Sequence, residues 1–378
     1  MRTDPNLIEK NPIAPHDITL NPQSKDQELW QKYLDAKKET PMLFPTEGAK
    51  RFGVSEFQLL LASPESRYLG GACAEMLMEL ESLGVMENIV RNEFAVHEKL
   101  GAFSNLKIGP QFGLAVNEGG LDLRIFIKRW AHMLAVVNPE RQSYSIQFYD
   151  NLGQAVSKAF VQDKSPENLA RFQALCDKYA NQAQASITLQ SIVPQSDWHY
   201  HQLSAEQQSA FQNDWRNLKD IHDFHGVLSQ YKLDRASSYH QAPEGMSKAL
   251  QPSVIEVLFE HLAEKEIPVM IFVGNTGMVQ IQTGTVKTLK RASGWFNILD
   301  HDHNGFNLHL HDEALKQVWW VKRPSVDGGF TTAIEGFDKY GNSIITLFGE
   351  RHEGSEQCPR WNTLLDELCQ LFEKKEGA

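Results

Sequence analysis

The chain has 378 residues, a length for which two or three domains are expected. Its content of 41% hydrophobic and 22% charged residues is ordinary for a globular protein and argues against long disordered regions. The net charge of −11 argues against nucleic acid as the main partner, and no apolar run approaches the ~20 residues that span a membrane.

The N-terminal sequence MRTDPNLIEK lacks the apolar stretch of a signal peptide. The four cysteines form no CxxC pair and no disulfide framework. These features predict a cytoplasmic protein that is not embedded in a membrane.

In the first half of the chain, a helix-like segment is followed by strand-like segments. The helix-like segment is LWQKYLDAKKE (29–39), and the strand-like ones are VRNEFAVHEKLG (90–101), LDLR (121–124) and SYSIQFYDNLGQAVSKAF (143–160). In the last of these, two strand-like runs flank a turn with Asp and Gly, which is typical of a hairpin. The polar, weakly periodic segment 180–200 is interpreted as a linker.

The second half of the chain shows the same change from helix to strand. Helical patterns cover 206–233 and 246–265, and the final segment WNTLLDELCQLFEKK is again helical. Strands are predicted at 268–273, 277–283, 295–299, 306–311, 316–322, 330–337 and 343–348. Consecutive strands joined by short turns favour an antiparallel sheet.

The two halves are related by an internal repeat. Segment 143–160 aligns with TTAIEGFDKYGNSIITLF (331–348) and shares Ile146/Ile334, Asp150/Asp338, Gly153/Gly341 and Phe160/Phe348. Segment 90–101 aligns in the same way with VGNTGMVQIQTG (273–284), LDLR with LHLH (308–311), and LWQKYLDAKKE with DWRNLKDIHDF (214–224). Repeated structural units of this kind predict a first repeat over 25–178, a linker over 179–204 and a second repeat over 205–375.

Several candidate sites have an ordinary structural alternative. DHDHNGFNLHLH (300–311) resembles a calcium loop, but its position 12 is His311 rather than Glu, so a polar hairpin turn is favoured. His309 and His311 share one face of a strand and can bind zinc or copper only if a third ligand is near. Cys358, before Pro359, offers a thiolate but reads more simply as a surface cysteine. Trp295, Trp319 and Trp320 are more typical of a core than of a stacking platform.

Two histidines and two arginines remain open between structural and functional roles. His222 and His225 lie three residues apart in the helical run WRNLKDIHDFHGVLSQYK, where surface or core histidines are common. Arg235 follows Asp234 where this helix ends. Arg124 lies in a strand between Leu123 and Ile125, so that a salt-bridged or solvent-facing side chain is the simplest interpretation. No glycine-rich phosphate loop, nucleophile elbow or HExxH helix occurs, which disfavours kinase and covalent hydrolase chemistry.

Separated segments of the chain nevertheless resemble one family, the HemS-like hemin transport and hemin-degrading proteins of Gram-negative bacteria. The resemblance extends from about Leu29 to Phe372. Its most specific segments are VHEKLG (96–101), LDLRIFIKRW (121–130), DIHDFHGVLSQYKLDR (220–235), VMIFVGNTGMVQIQTG (269–284) and DKYGNSIITLFGERHEG (338–354). It implies an α+β fold: a tandem structural repeat of two halves, each with a large twisted antiparallel sheet flanked by helices, and a ligand cleft between the halves.

The resemblance also implies a cofactor and its contacts. Haem b (hemin, iron protoporphyrin IX) is the expected ligand, with His222 as the axial ligand of the iron and Arg124 on the opposite, distal face. Propionate contacts fall on Arg235, Arg323 and Arg351. Contacts with the porphyrin fall on Phe126, Met270 and Phe272.

Three departures from the family pattern concern the same site. A family lysine is replaced by Arg323, which preserves the charge, and a glutamine and a tyrosine are replaced by Thr346 and Phe348. His225, which is apolar in some relatives, becomes an alternative iron ligand.

The resemblance implies two functions. The first is a cytoplasmic carrier in haem uptake and iron acquisition that passes haem to a degrading enzyme. The second is an enzyme with heme oxygenase-like activity, which cleaves the porphyrin and releases iron and for which Arg124 is the distal candidate. The expected partners are haem itself and a haem oxygenase or the cytoplasmic side of a haem importer. A third interpretation, a haem-independent metal or small-molecule binder that uses the histidine-rich turn, rests on residues 300–311.

Overall fold

The computed structural model of the chain describes residues 17–117, 119–180, 186–193, 195–325, 329–351 and 356–374. Residues 181–185 and 194 of the predicted linker, and residues 352–354 at the end of the last resembling segment, lie outside the described residues. The chain forms two compact units. Unit 1 comprises Met1–Val90, Leu100–Pro194 and Asn275–Val279, and unit 2 comprises Arg91–Lys99, Gln195–Gly274 and Gln280–Ala378.

The helices follow one another along the chain as α1 (Gln27–Glu39), α2 (Pro45–Phe52), α3 (Glu56–Ala62), α4 (Cys73–Glu79), α5 (Pro166–Ala180), α6 (Ala205–Arg216), α7 (Phe224–Tyr231), α8 (Arg235–Tyr239), α9 (Val254–Glu264), α10 (His301–Asn304) and α11 (Pro359–Phe372). The strands of the first half are β1 (Ile18–Leu20), β2 (Ser66–Tyr68), β3 (Val85–Arg91), β4 (Ala95–Ala102), β5 (Lys107–Ile108), β6 (Gly113–Ala115), β7 (Asp122–Ile125), β8 (Trp130–Asn138), β9 (Ser143–Asp150), β10 (Ala155–Val161) and β11 (Ile187–Leu189). Those of the second half are β12 (Ser247–Leu250), β13 (Val269–Gly274), β14 (Met278–Gly284), β15 (Leu289–Ala292), β16 (Trp295–Asp300), β17 (Phe306–Leu310), β18 (Gln317–Pro324), β19 (Phe330–Phe337) and β20 (Ser343–Gly349).

The two units repeat one antiparallel strand order. In unit 1 neighbouring strands follow the order β2-β8-β9-β10-β3. In unit 2 they follow the equivalent order β12-β18-β19-β20-β13, and a second group has the order β15-β16-β17-β4. The predicted α+β fold with repeated large antiparallel sheets is therefore confirmed.

The residues shared by the two repeats build the same hairpin turn. Asp150 Oδ1 accepts hydrogen bonds from the backbone N–H groups of residues 152 and 154, both at 2.9 Å. Asp338 Oδ1 accepts from those of residues 340 and 342 at 2.8 and 2.9 Å. The shared glycines, Gly153 and Gly341, have φ of 74° and 79°, which glycine adopts without a steric cost.

The sheet of unit 2 has two differently covered faces. Its first face packs against α9 and α11 and contributes Ile271, Trp320, Ile334, Ile345 and Leu347 to a large apolar core. On the opposite face, β18 and β19 pack under α6–α8 through Trp319, Val321 and Phe337. On this second face, the β20 and β13 side chains are only half-buried, which makes them candidates for ligand contact.

Two predicted helices of the second half differ from the structure. The helical run 206–233 is divided, because a short 3-10 turn (Ile221–Asp223) separates α6 from α7. Asp220 has extended dihedral angles (φ −142°, ψ 148°) and caps this turn, which prevents a continuous helix. The predicted helix 246–265 begins only at Val254, since residues 247–250 pair with β18 as strand β12. Pro252 is the sequence signal for that later start, because proline fits the beginning of a helix and not its interior.

Candidate functional site

His222 lies in the 3-10 turn that precedes α7. Asp220 fixes the turn, since its Oδ1 accepts a hydrogen bond from His222 N at 2.8 Å. The same oxygen lies 2.5 Å from His222 Nδ1. One carboxylate thus holds both the backbone and the imidazole.

The His222 side chain is 80% exposed even though its ring orientation is fixed. Because Asp220 engages Nδ1, the other ring nitrogen, Nε2, is presented to solvent. A histidine whose second nitrogen is held by a carboxylate is the usual arrangement of a metal-ligating imidazole. Hydrogen bonds from His222 contribute to lowering the pKa of Asp220, so this carboxylate remains charged at neutral pH.

His225 lies one turn further on, in α7, and is also exposed. Its backbone carbonyl accepts a hydrogen bond from Ser229 Oγ at 2.9 Å. No carboxylate in the described part of the chain is within ion-pair distance of its ring. His222 is therefore the better-oriented of the two histidines, and the role of His225 as an alternative ligand stays a prediction.

The register of unit 2 aligns four half-buried side chains on the face that also carries α6–α8. Met270 pairs with Phe348, and Phe272 pairs with Thr346. Because directly opposite residues of antiparallel strands share a face, these four residues form one surface, which we call the floor. The Phe272 and Phe348 rings meet edge to face with their centroids 5.2 Å apart. The floor thus offers a mainly apolar surface to a flat ligand.

Beside the floor, a buried carboxylate binds two arginines and a tyrosine; we call Arg235, Tyr239, Arg323 and Glu335 the arginine–glutamate cluster. Glu335 is fully buried and faces Thr346 of the floor across the strand pair. Arg235 Nη1 donates to both of its oxygens, at 3.1 and 3.0 Å. Arg323 Nη2 donates to Glu335 Oε1 and to the Tyr239 hydroxyl, each at 2.6 Å, and that hydroxyl donates to Oε2 at 2.6 Å.

The electrostatics of the cluster favour a charged Glu335. Burial by itself raises the pKa of this carboxyl, but the charges of Arg235 and Arg323 and the tyrosine hydrogen bond lower it to about 2. The nearby carboxylate in turn raises the pKa of Arg235, and burial raises that of Tyr239. Arg235 and Glu335 are therefore ionised over the whole physiological range, while Tyr239 stays neutral.

The two arginines of the cluster differ in exposure. Arg323 is buried, with its guanidinium carbon 4.5 Å from the centroid of the Phe224 ring. Arg235 begins the short helix α8, whose cap is Asp234, and 42% of its side chain is exposed. Of these two predicted propionate contacts, Arg235 is the one whose side chain is partly exposed to an added ligand.

Arg351 follows β20 and lies at the same face of the sheet. Its Nη1 donates to Thr331 Oγ1 at 2.8 Å and to Ser325 Oγ at 3.2 Å. The positive charge of Arg351 also contributes to lowering the pKa of Asp220. Arg351 is therefore close enough to the His222 turn to interact with it electrostatically. Since both hydrogen-bond partners are neutral, the positive charge of Arg351 remains available to an anionic ligand.

Arg124 and Phe126 belong to unit 1. Arg124 lies in β7, is 29% exposed and pairs with the Asp122 carboxylate, as the salt-bridged interpretation expected. Phe126 is 39% exposed, and its ring centroid lies 5.9 Å from that of Phe112, which is also exposed. Their assignment to the distal side and to porphyrin contact stays a prediction.

The other sequence candidates have structural roles. Both carboxylate oxygens of Asp300 accept backbone hydrogen bonds, from residues 287 and 288, and residues 301–304 form α10. His309 Nδ1 lies 2.7 Å from Asn297 Oδ1, and the His311 ring packs edge to face on Trp295. Over the described ranges, no three His, Cys, Asp or Glu side chains form a group that could hold a metal ion.

Cys358 is half-buried just before α11 and packs against the apolar core, so it is a structural cysteine and not the surface cysteine that the sequence predicted. Trp319 and Trp320 are buried in cores, as expected. None of the helices in the described part of the chain is long and apolar enough to cross a membrane.

Comparison with known protein families identifies the chain. The model of the haemin-degrading HemS.ChuX domain matches it twice, over residues 53–179 and 232–368. The chain belongs to this family. The two matches fall on the two repeats, so each repeat corresponds to one HemS.ChuX domain.

Relatives of this family match the chain along most of its length. The hemin transport protein HemS of Yersinia enterocolitica is 29% identical, over 93% of this chain and 99% of that protein. The structure of holo-PhuS, a heme-binding protein from Pseudomonas aeruginosa, superposes with a TM-score of 0.82 at 31% identity, over 93% of this chain and all of that one. The structure of ChuS, an Escherichia coli heme oxygenase, has a TM-score of 0.77 at 27% identity, over 90% and 99% of the two chains.

Three residues of the candidate site were not singled out in the sequence. Asp220 could have been found as a capping residue two positions before a histidine. Glu335 could have been found as the one charge inside the strand FTTAIEGF, where a carboxylate needs a buried partner. Tyr239 carried no sequence signal, because its role depends on the pairing of α8 with β18 and β19.

Proposed function

We propose that this protein binds haem b on unit 2 and acts as a haem carrier in iron acquisition. The observation that carries the proposal is the exposed His222 imidazole, held at Nδ1 by Asp220, beside the floor and two accessible arginine charges. The imidazole can bind the iron of haem, the floor can contact its flat apolar ring, and the arginines can bind its two carboxylates.

In the proposal, His222 Nε2 is the ligand of the haem iron. A neutral imidazole is a common haem ligand, and its affinity for iron rises when its other nitrogen donates to a carboxylate. Asp220 supplies that acceptor. The iron contact therefore depends on a pair of residues in one turn rather than on a free surface histidine.

The floor and the arginines bind the rest of the molecule. Met270, Phe272 and Phe348 remove apolar ring surface from water, which is favourable by about 25 cal/mol per Å². Arg235 and Arg351 bind the propionates, because guanidinium groups form charge-assisted and often bidentate hydrogen bonds with carboxylates. Thr346 replaces a longer polar side chain of the family pattern, so in this proposal the arginines alone contact the propionates.

A carrier must also release its ligand, and the open position of the site supports release. His222 and Arg235 are both substantially exposed in unit 2. Transfer of haem from this protein to a haem oxygenase is the function that fits a ligand held by exposed residues. The hemin transport name of the Yersinia relative supports the same assignment.

A second function, haem degradation by this protein itself, is favoured by one observation. His222 is the single well-oriented iron ligand among the candidate residues, and arginine cannot supply a second strong one because it stays protonated. One open axial position permits oxygen activation on haem. The E. coli relative, described as a heme oxygenase, supports this alternative.

One experiment separates the two functions. The purified protein is loaded anaerobically with one equivalent of hemin and then exposed to air and ascorbate in the presence of catalase. A carrier keeps its Soret band and passes haem to an added haem oxygenase. Loss of the Soret band with release of iron and a biliverdin-like product assigns the enzyme, and failure to form a one-to-one haem complex contradicts both functions.

A further inference from the structure

Glu335 is a saturated buried carboxylate. Its two oxygens accept four hydrogen bonds, two from Arg235 Nη1, one from Arg323 and one from Tyr239. A carboxylate has about four acceptor sites, so no site remains for a ligand. Glu335 therefore acts on other side chains and not on haem directly.

Arg323, like Glu335, contacts other side chains of the cluster. Its guanidinium lies on the Phe224 ring, and its Nη2 is shared between Glu335 and the Tyr239 hydroxyl. Withdrawing it toward a propionate would leave Glu335 with one fewer cation in a buried position, which is costly. In this geometry Arg323 neutralises Glu335.

Arg235 is oriented by this neutral pair. Both of its hydrogen bonds to Glu335 start from Nη1, so this carboxylate does not engage Nη2 or Nε, the donors that an incoming carboxylate would use. A guanidinium that is already fixed loses less rotamer entropy when it binds than a free arginine side chain does.

The first repeat shows that the fold does not require a carboxylate at the position of Glu335. The repeat places Gln147 where unit 2 has Glu335, and both residues face the equivalent position of the next strand, Lys158 or Thr346. Gln147 forms a neutral network, in which its Oε1 accepts from Tyr149 at 2.7 Å and its Nε2 donates to Ser145 at 3.1 Å. Unit 1 holds its nearby buried ion pair between Lys158 and Glu56 instead, and its equivalent of Glu335 is uncharged. A carboxylate at this strand position is therefore a feature of unit 2 and not of the architecture shared by both units.

We propose that Glu335 and Arg323 are positioning residues that hold the Arg235 guanidinium in the orientation that recognises a haem carboxylate. This inference rests on the proposed function. It departs from the propionate contact that the family resemblance implied for Arg323, since Arg323 acts behind Arg235 and does not touch the propionate. The pair has no net charge, so it orients Arg235 without changing the attraction of the site for anions.

The neutrality of the pair allows a direct test. The double variant Arg323→Met with Glu335→Gln removes one positive and one negative charge and leaves Arg235 in place. Buried ion pairs can often be replaced by uncharged residues without loss of the fold. The measured quantity is the preference for hemin over hemin dimethyl ester, given by the ratio of their dissociation constants, because the ester keeps the iron and ring but has no carboxylates.

We expect wild type to prefer hemin clearly and Arg235→Ala to lose about tenfold of that preference, the size of one charge-assisted contact. The double variant loses a similar factor while its axial-ligand spectrum stays unchanged. The triple variant, which adds Arg235→Ala, shows no further loss. The matched control Arg291→Met with Glu256→Gln removes an exposed ion pair of the same unit and leaves the preference unchanged.

Full preference for hemin in the double variant overturns the inference, as does a triple variant whose loss equals the product of the two separate losses. An unchanged preference in Arg235→Ala also overturns it. If the double variant does not fold, Tyr239→Phe decides, since it keeps both charges and removes one hydrogen bond to Glu335: a loss of about threefold supports the inference, and an unchanged preference contradicts it. Wild type that binds no hemin rejects the proposed function instead.

Discussion

At the scale of single residues, Asp220 determines how the His222 imidazole is presented. Its Oδ1 lies 2.5 Å from Nδ1, and the same atom caps the 3-10 turn. We expect Asp220→Asn to keep histidine ligation but to weaken haem binding about tenfold, the usual effect of losing a ligand's outer carboxylate. His222→Ala is expected to abolish the native axial ligation, with residual binding through His225.

Resonance Raman spectra of the ferrous complex measure both effects. The iron–histidine stretching band is expected at a lower frequency in Asp220→Asn, because a less basic imidazole binds iron more weakly. In His222→Ala the native band is expected to be lost, and any residual band at another frequency reports ligation by His225. His199→Ala, at an exposed histidine of the same unit, is the control and leaves the band in place. An unchanged Soret spectrum of His222→Ala in both oxidation states would show that another residue binds the iron.

Arg124 gives a prediction of the opposite kind. It is paired with Asp122 and belongs to unit 1, so its replacement leaves the proposed iron ligand and the proposed propionate contacts of unit 2 intact. We expect Arg124→Ala to reduce haem affinity by no more than a few fold and to change the rate of autoxidation and the pH dependence of the ferric spectrum. These measurements report the group that hydrogen-bonds to the distal ligand. Arg129→Ala, at an exposed arginine of the same unit, provides the comparison, and equal behaviour of the two variants removes Arg124 from the distal role.

At the scale of the elements, a buried histidine in strand β4 lowers the stability of the folded protein at acidic pH. His97 is fully buried, its Nδ1 lies 3.1 Å from the Gln280 carbonyl oxygen, and its Nε2 has no partner among the described residues. Burial is the main cause that lowers its pKa from 6.5 to about 3. Between these values the unfolded chain binds a proton that the folded chain does not, so stability falls as the pH falls below 6.5.

The expected contribution of His97 is a loss of about 2 kcal/mol in the free energy of unfolding between pH 7 and pH 5. Urea unfolding at a series of pH values measures it. His97→Gln keeps an amide that can donate to the Gln280 carbonyl and does not titrate, so its stability is expected to change less over this interval. Parallel pH profiles of wild type and His97→Gln would mean that His97 becomes protonated without unfolding.

The elements also show where sequence reasoning succeeds and where it stops. Alternating strands such as Phe306–Leu310 were located closely, because period-two patterns act locally. The helical run 206–233 was wrong at residues 217–223, because its apolar spacing continues through a segment that Asp220 caps as a new turn. The apolar pattern alone does not predict whether Asp220 caps a new turn or the helix continues, since the free energies of the two arrangements differ by only about 1 kcal/mol.

At the scale of the whole molecule, the repeat was readable from the sequence and the charge pairing was not. Shared Asp and Gly residues at the hairpins predicted two copies of one fold, and the equivalent strand orders confirm it. The binding of Arg235 and Arg323 to one carboxylate depends on contacts between residues up to 100 positions apart. Such pairing depends on tertiary packing, which neither periodicity nor resemblance specifies.

The composition of unit 2 leads to a last prediction, because it includes Arg91–Lys99 from the first half of the chain. In this unit Ala95–Lys99 pair with all five residues of β17, and Lys99 Nζ donates to the Asn304 carbonyl at 2.7 Å. A polypeptide of residues 195–378 alone leaves the β17 edge open and lacks the buried Ala95. We expect its Tm, measured by circular dichroism, to lie at least about 10 °C below that of the full chain, since a loss of several kcal/mol shifts a domain of this size by that amount.

The same polypeptide with residues 91–99 joined to its N-terminus by a flexible linker is expected to recover most of the loss, and a scrambled 91–99 sequence serves as the control. A half-chain that unfolds cooperatively within about 5 °C of the full protein would show that β4 contributes little to unit 2.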